Sequence, residues 1–113
     1  MADDLLTFIE TPIFTQDRIE LLPDDEYQKF QAYMLEHHHL GDYIPHTGGC
    51  QKIRWKLAQN HKGKSAGIRV IYYVLNEKGK LYLISAYAKS TQETLSEQEK
   101  AIMHMIVQKL KKE

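Results

Sequence analysis

Residues 68–89, IRVIYYVLNEKGKLYLISAYAK, constrain this chain more than any other stretch. Ile68 to Leu75 and Leu81 to Ala88 are β-branched, aromatic or otherwise apolar almost throughout. Such runs form strands. The polar segment Asn76-Glu77-Lys78-Gly79-Lys80 between them supplies a turn, with a glycine free to take positive φ. Strands apolar on both faces belong in the middle of a sheet, with helices over at least one side. Two residues break the pattern, Arg69 at the start of the first strand and Lys89 at the end of the second. Antiparallel pairing sets those positions side by side, so both cations are expected at one end of the sheet.

The rest of the chain supplies the partners of this hairpin. Leu5 to Glu10 reads as a first strand, stopped by Thr11-Pro12 because proline has no N–H for a ladder. Ile13 to Leu22 carries Ile13, Phe14, Ile19 and Leu22 and is expected to form a short helix. Leu22-Pro23-Asp24-Asp25-Glu26 opens a second helix, with a carboxylate cap and acids in the first turn. Tyr27, Phe30, Met34 and Leu35 give it an amphipathic stripe as far as about His38, and Leu40-Gly41-Asp42 ends it. Residues 41–50 read as a loop. Gln51 to Leu57 then alternates: Ile53, Trp55 and Leu57 face one way, and Lys52, Arg54 and Lys56 the other. Ala58 to Gly67 is a basic, glycine-containing loop, expected to be mobile.

A last helix follows. Ser96-Glu97-Gln98-Glu99 matches a capping box, as does Ser90-Thr91-Gln92-Glu93. Ala101, Ile102, Met105, Ile106 and Leu110 make its expected apolar stripe, and Lys109, Lys111 and Lys112 complement its dipole. The sum is one α+β domain over residues 1–113. Its expected sheet is small and antiparallel, an N-terminal strand plus a three-strand meander, with helices packed on one face.

Charge narrows the function. Residues 1–50 hold ten acids against Arg18 and Lys29, a balance of −8, and residues 51–92 hold nine bases against Glu77, a balance of +8. The net charge of +0 conceals that polarity. A local basic surface of this kind suits nucleic acid; the plain alternative is a solvated basic face. No apolar run is long enough to span a bilayer and no charged-then-apolar leader opens the chain, so a cytoplasmic location is expected. The single cysteine, Cys50, fits a reducing compartment and reads as a small side chain beside Gly48-Gly49.

Common cofactor chemistry finds no motif. The chain has no phosphate-binding glycine loop, no CxxC pair and no GxSxG elbow. His37-His38-His39 are neighbours on a helix and point in different directions, so no metal is expected there. What remains is a metal-free basic face of Arg54, Lys56, Arg69 and Lys89, flanked by Lys52, His61, Lys62, Lys64 and Tyr87. That set suits RNA cleavage in which the 2′-OH attacks the adjacent phosphate. The RNA brings its own nucleophile, and the protein supplies cations for the phosphate oxygens and groups to move two protons.

The run GIRVIYYVLNEKGKLYLISAYAK resembles the central hairpin of the RelE-like toxins, most closely the HigB branch. Leu40-Gly41-Asp42, then Gly48-Gly49-Cys50-Gln51-Lys52-Ile53-Arg54, resembles a second HigB stretch. The likeness runs from Ile13 onward. It implies the RelE-like toxin fold and a type II toxin, a ribosome-dependent endoribonuclease that cuts mRNA in the ribosomal A site and so inhibits translation. It also implies a cognate HigA-like antitoxin as partner, operator DNA reached only through that antitoxin, and no cofactor. Arg69 matches the phosphate-binding arginine, Arg54 and Lys56 the basic strand residues, and Lys89 the lysine ending the last strand. These four form the implied catalytic set.

The pattern departs in two places. Ser90 stands where many relatives carry a second arginine, and no tyrosine lies between Thr91 and Gln98. The general acid and base are therefore unassigned among His61, Lys56 and Lys89. Other readings stand beside the enzyme. The same fold serves a non-catalytic RNA- or ribosome-binding relative equally well. A DNA-binding regulator has no recognition-helix pattern here. Arg69 has a structural alternative, an ion pair with an acid of the N-terminal half. Tyr72, Tyr73 and Tyr87 have sheet packing as theirs, and Trp55 reads as core.

Overall fold

The computed structural model of the chain describes residues 6–56, 67–89 and 94–113. In chain order its elements are β1 (Thr7–Glu10), α1 (Pro12–Leu21), α2 (Asp24–His37), a 3-10 turn (His38–Leu40), β2 (Asp42–Tyr43), β3 (Gln51–Trp55), β4 (Ile68–Leu75), a second 3-10 turn (Asn76–Lys78), β5 (Lys80–Ala88) and α3 (Glu97–Lys112). The hairpin forms as expected, from Ile68 opposite Ala88 to Leu75 opposite Lys80. Gly79 closes its turn with φ +63°, the left-handed conformation that costs glycine least.

The sheet order is β1-β5-β4-β3-β2. Strands β3, β4 and β5 are the expected antiparallel meander. Two details differ from expectation. Strand β1 joins the far edge of β5 in parallel, so the sheet is mixed. Strand β2 lies inside the stretch read as a loop and pairs with β3 through Asp42 opposite Lys52 and Tyr43 opposite Gln51.

Helices cover both faces, not one. Phe14, Leu22, Tyr27, Phe30 and Met34 of the α1–α2 segment pack on Ile68, Val70, Tyr72, Leu81, Leu83 and Ala86. Ile53 and Trp55 pack against the same core, as their alternation requires. Ile71, Tyr73, Tyr82, Ile84 and Tyr87 meet Met103 and Val107 of α3 on the other side. The reason lies in β4 and β5: both faces are apolar, and an uncovered second face would leave those residues in water.

Local rules account for the helix ends. Pro12 stops β1 and then occupies the first turn of α1, where its missing N–H costs nothing, and the Thr11 hydroxyl caps that helix by accepting from Phe14 N–H (3.1 Å). Helix α2 begins with Pro23 at the cap position and no side-chain cap, so its acids serve the dipole and not the expected carboxylate cap. Both bonds of the Ser96–Glu99 capping box form. The buried stripe of α3 is Met103 and Val107, with Ile106 and Leu110 half-buried; Ala101, Ile102 and Met105, expected inside, are exposed. Ile13 and Ile19 of α1 are exposed as well. Cys50 is fully buried and its N–H donates to the Thr47 hydroxyl (3.1 Å).

A polar knot ties β1, α1 and α2 together. The Glu10 carboxylate accepts from the Thr15 hydroxyl (2.6 Å) and the Tyr27 hydroxyl (2.7 Å), and Arg18 Nε lies 3.6 Å away. Burial pushes the Glu10 carboxyl up, but the two hydrogen bonds and the Arg18 charge outweigh it and hold it below its ordinary value.

A β-bulge in β5 decides which face each residue takes. Ile71 pairs with Ser85 but Tyr72 pairs with Leu83, so Ile84 is the extra residue. Helix α1 satisfies the backbone groups this frees. The Thr11 hydroxyl donates to the Ile84 carbonyl (2.8 Å), and Asp17 Oδ2 accepts from Ala86 N–H (3.0 Å). Beyond the bulge the alternation is reset, and Tyr87 joins Tyr82 and Ile84 on the α3 side. Among the described residues no helix is long and apolar enough to cross a membrane.

Candidate functional site

Strand register assembles a row of polar side chains across the three central strands. Arg54 of β3 lies directly opposite Arg69 of β4, and Arg69 lies opposite Tyr87 of β5. Lys89 follows two residues on, and its N–H extends the ladder to the Gly67 carbonyl (3.4 Å). Residues directly opposite on one face have Cβ atoms within about 5.5 Å, and like charges there destabilise a sheet. Arg69 is only 7% exposed. The ion pairs formed among the described residues join Arg18 to Glu10 and Asp24, and Lys100 to Glu97; none includes Arg54, Lys56, Arg69 or Lys89. The structural ion pair considered for Arg69 is therefore not formed among those residues. Two opposed guanidinium groups with no carboxylate paired to either among the described residues make a place for an anion.

The row opens into a cleft of about 410 Å³. Lys52, Arg54, Arg69 and Lys89 line it, and Leu40, Gly41 and Asp42 form its wall. That wall is fixed from beneath. The Tyr72 hydroxyl donates to the His38 carbonyl (2.6 Å) and accepts from Gly41 N–H (3.1 Å), and Gln51 Nε2 donates to the Gly41 carbonyl (3.0 Å). A Cβ on Gly41 would collide with the Tyr72 hydroxyl, so only glycine fits this approach. Burial pushes the Tyr72 hydroxyl up to about 12, which keeps its proton in place for the His38 bond.

Tyr87 stands beside Arg69 at 8% exposure, and its hydroxyl has no hydrogen-bond partner among the described residues. Burial raises its pKa, Arg69 lowers it and the Glu99 charge raises it; the net direction is upward, so the group is a phenol and not a phenolate. Cys50 takes no part: it is buried, and burial lifts its thiol to about 11 against the pull of Thr47. His37 and His38 turn Nδ1 onto the Tyr33 and Met34 carbonyls (3.1 Å each). Among the described residues no group of three His, Cys, Asp or Glu side chains is placed to hold a metal.

Of the residues singled out in the sequence, Lys52, Arg54, Arg69 and Lys89 come together in one cleft. Lys56 is exposed just past the end of β3 and does not line it. His61, Lys62 and Lys64 lie outside the described residues, as do Leu57, the loop expected to be mobile as far as Ala66, and the alternative capping box at 90–93. Sequence reasoning missed Asp42 as a wall residue. Its one signal was its place in the Leu40-Gly41-Asp42 run; its pairing with Lys52 depends on β2, which has too few residues to show a period. Chemically the cleft offers cations from three strands, two of them forked donors suited to phosphate oxygens, with one carboxylate at the edge.

No protein-family model matches the chain. Its structure is similar to that of the E. coli toxin RelE, solved in the free state as a double arginine-to-alanine mutant. The two share 18% identity at a TM-score of 0.59, over 87% of this chain and 95% of that one. The intact E. coli RelBE toxin–antitoxin complex also matches, at 17% identity and a TM-score of 0.49, over 72% of this chain and 93% of that one. The first likeness shows the fold: this chain has the α+β architecture of RelE.

Proposed function

We propose that this chain is a ribosome-dependent mRNA endoribonuclease, the toxin of a type II toxin–antitoxin pair. The observation that carries the reading is the pair Arg54–Arg69, opposed across two central strands in a cleft that also takes Lys52 and Lys89. The RelE fold and the runs that resemble HigB support the same reading, and Leu40-Gly41-Asp42 of one such run forms the wall of that cleft. We assign the chain to the HigB type on those runs.

In this reading the scissile phosphate sits between Arg54 and Arg69. The RNA 2′-oxygen attacks phosphorus, the bond to the 5′ oxygen breaks, and a 2′,3′-cyclic phosphate and a free 5′-OH result. Negative charge builds on the phosphate oxygens during attack, where fixed cations stabilise it most in a partly dehydrated site. Lys89 lines the cleft and Lys56 does not, which favours Lys89 as the group exchanging a proton with the reacting oxygens. The ribosome supplies the remaining geometry by holding the mRNA in its A site. The partners are the ribosome, mRNA and a HigA-like antitoxin, with operator DNA engaged through the antitoxin.

A defined mRNA in a translating cell-free extract tests this. New 5′ ends should appear in register with the reading frame, and should disappear when initiation is blocked or when the nucleotide before the cut is 2′-deoxy. Full-length mRNA throughout, with translation undiminished, would leave a non-catalytic RNA-binding role. Cutting of the 2′-deoxy mRNA would refute the 2′-OH mechanism.

A further inference from the structure

Next to the cleft lies a second depression, of about 200 Å³, between the β2–β3 edge and the start of α3. The two hollows share Asp42 and Lys52, so they adjoin at that rim. Ile44, Pro45 and Leu95 give the second hollow an apolar side, and Lys100 reaches it from α3. Lys52 and Lys100 are far apart in sequence, and the fold brings both to one small hollow. The Lys100 side chain is only 19% exposed, which limits where its ammonium can go. Its ion-pair partner Glu97, 3.3 Å away, is 79% exposed, so that carboxylate can turn into water when another anion arrives.

We propose that this hollow is a second nucleotide subsite, which holds the base and phosphate of the nucleotide adjoining the scissile one. The proposal rests on the RNA reading of the main cleft. The apolar side takes the face of the base, and Lys52 and Lys100 take the phosphate. A strand leaving the Arg54–Arg69 pair would reach the hollow across the shared rim, where Lys52 stands opposite the Asp42 carboxylate. The hollow is small and open to solvent, so the subsite reads a single flanking position.

Fluorescence anisotropy with 2′-O-methyl oligoribonucleotides, which cannot be cleaved, tests it. Lengths from two to six nucleotides would be titrated with the wild-type chain, Lys100→Gln, Lys100→Arg and Arg69→Met. Wild type should gain about five- to tenfold in affinity at the length that first reaches the hollow. Lys100→Gln should lose that step, and its salt slope on the longest oligonucleotide should fall by about 0.7, the value for one phosphate contact on a single strand. Lys100→Arg should keep both. An unchanged step and slope in Lys100→Gln, with affinity still lost in Arg69→Met, would overturn the subsite and leave the RNA reading intact. Loss of the step in Lys100→Arg too would make Lys100 a structural residue and overturn the proposal. No binding by wild type at any length would overturn the subsite, while in-frame cutting in the translating extract decides the RNA reading separately.

Discussion

Replacing Arg69 with methionine should abolish function without loss of stability. Arg69 is 7% exposed, stands opposite Arg54, and takes part in none of the ion pairs among the described residues. Removing one of two like charges opposed in a ladder relieves on the order of 1 kcal/mol. Removing a poorly hydrated guanidinium adds to that, since burying an ion costs several kcal/mol in the dry limit and less beside an open cleft. Methionine keeps an unbranched apolar stem of similar reach, so the packing of the arginine methylenes is largely preserved. The variant should therefore be more stable than wild type by about 1 kcal/mol, which raises Tm by about 4 °C in a domain of this size. Urea unfolding followed through Trp55, which packs edge-on against Phe30 at 5.3 Å, reads this directly. The midpoint should rise at constant slope. A loss of about 3 kcal/mol or more would refute the reasoning, because that is the cost of breaking a buried ion pair. Cleavage by the same variant should fall about 100- to 1000-fold, the usual cost of one charge-stabilising donor.

Three further outcomes follow from the fold. The Glu10 carboxyl is held below its ordinary value in the folded chain, so its contribution is full above about pH 4.5 and is lost as pH falls through the folded value. Glu10→Gln should cost about 2 kcal/mol at pH 7 and give a flatter acid limb in thermal melts; an unchanged acid limb would contradict the assignment. Cys50 should resist alkylation in the native state and react only on unfolding, because it is fully buried and its thiol is lifted to about 11; modification at the rate of a free thiol would show the site to be open. Ser96→Ala should lower Tm by about 4 °C through loss of roughly 1 kcal/mol of capping, and an unchanged melt would mean that α3 frays from that end without consequence.

The sheet's centre was legible because β4 and β5 carry their instructions locally: β-branched runs, a polar turn, and Gly79 where φ is positive. The Pro12 boundary and the Ser96 cap were legible for the same reason. Long-range packing decided the rest. Helix α3 carries apolar residues on two sides, Ile102 and Met105 on one and Met103, Ile106, Val107 and Leu110 on the other. Only the meeting with Tyr73 and Tyr82 on the second sheet face selects the latter. Strand β2 is two residues long and exists through its pairing with β3. The bulge at Ile84 has no glycine or proline to mark it; what sustains it is α1, through Thr11 and Asp17. In the site, the meeting of Arg69 and Lys89 followed from hairpin geometry alone, and Arg54 followed from alternation in β3. Asp42 and Lys100 were hidden because their neighbours come from elsewhere in the chain.

The central claim is that the Arg54–Arg69 cleft cuts mRNA on the ribosome. Primer extension on one mRNA in a translating extract tests it most directly, with wild type, Arg69→Met and Lys89→Ala compared at equal folded concentration. New in-frame 5′ ends should appear with wild type, vanish with Arg69→Met although that variant melts no lower, and fall steeply with Lys89→Ala. Equal cutting by all three proteins would contradict the account, because the chemistry would then lie outside the cleft.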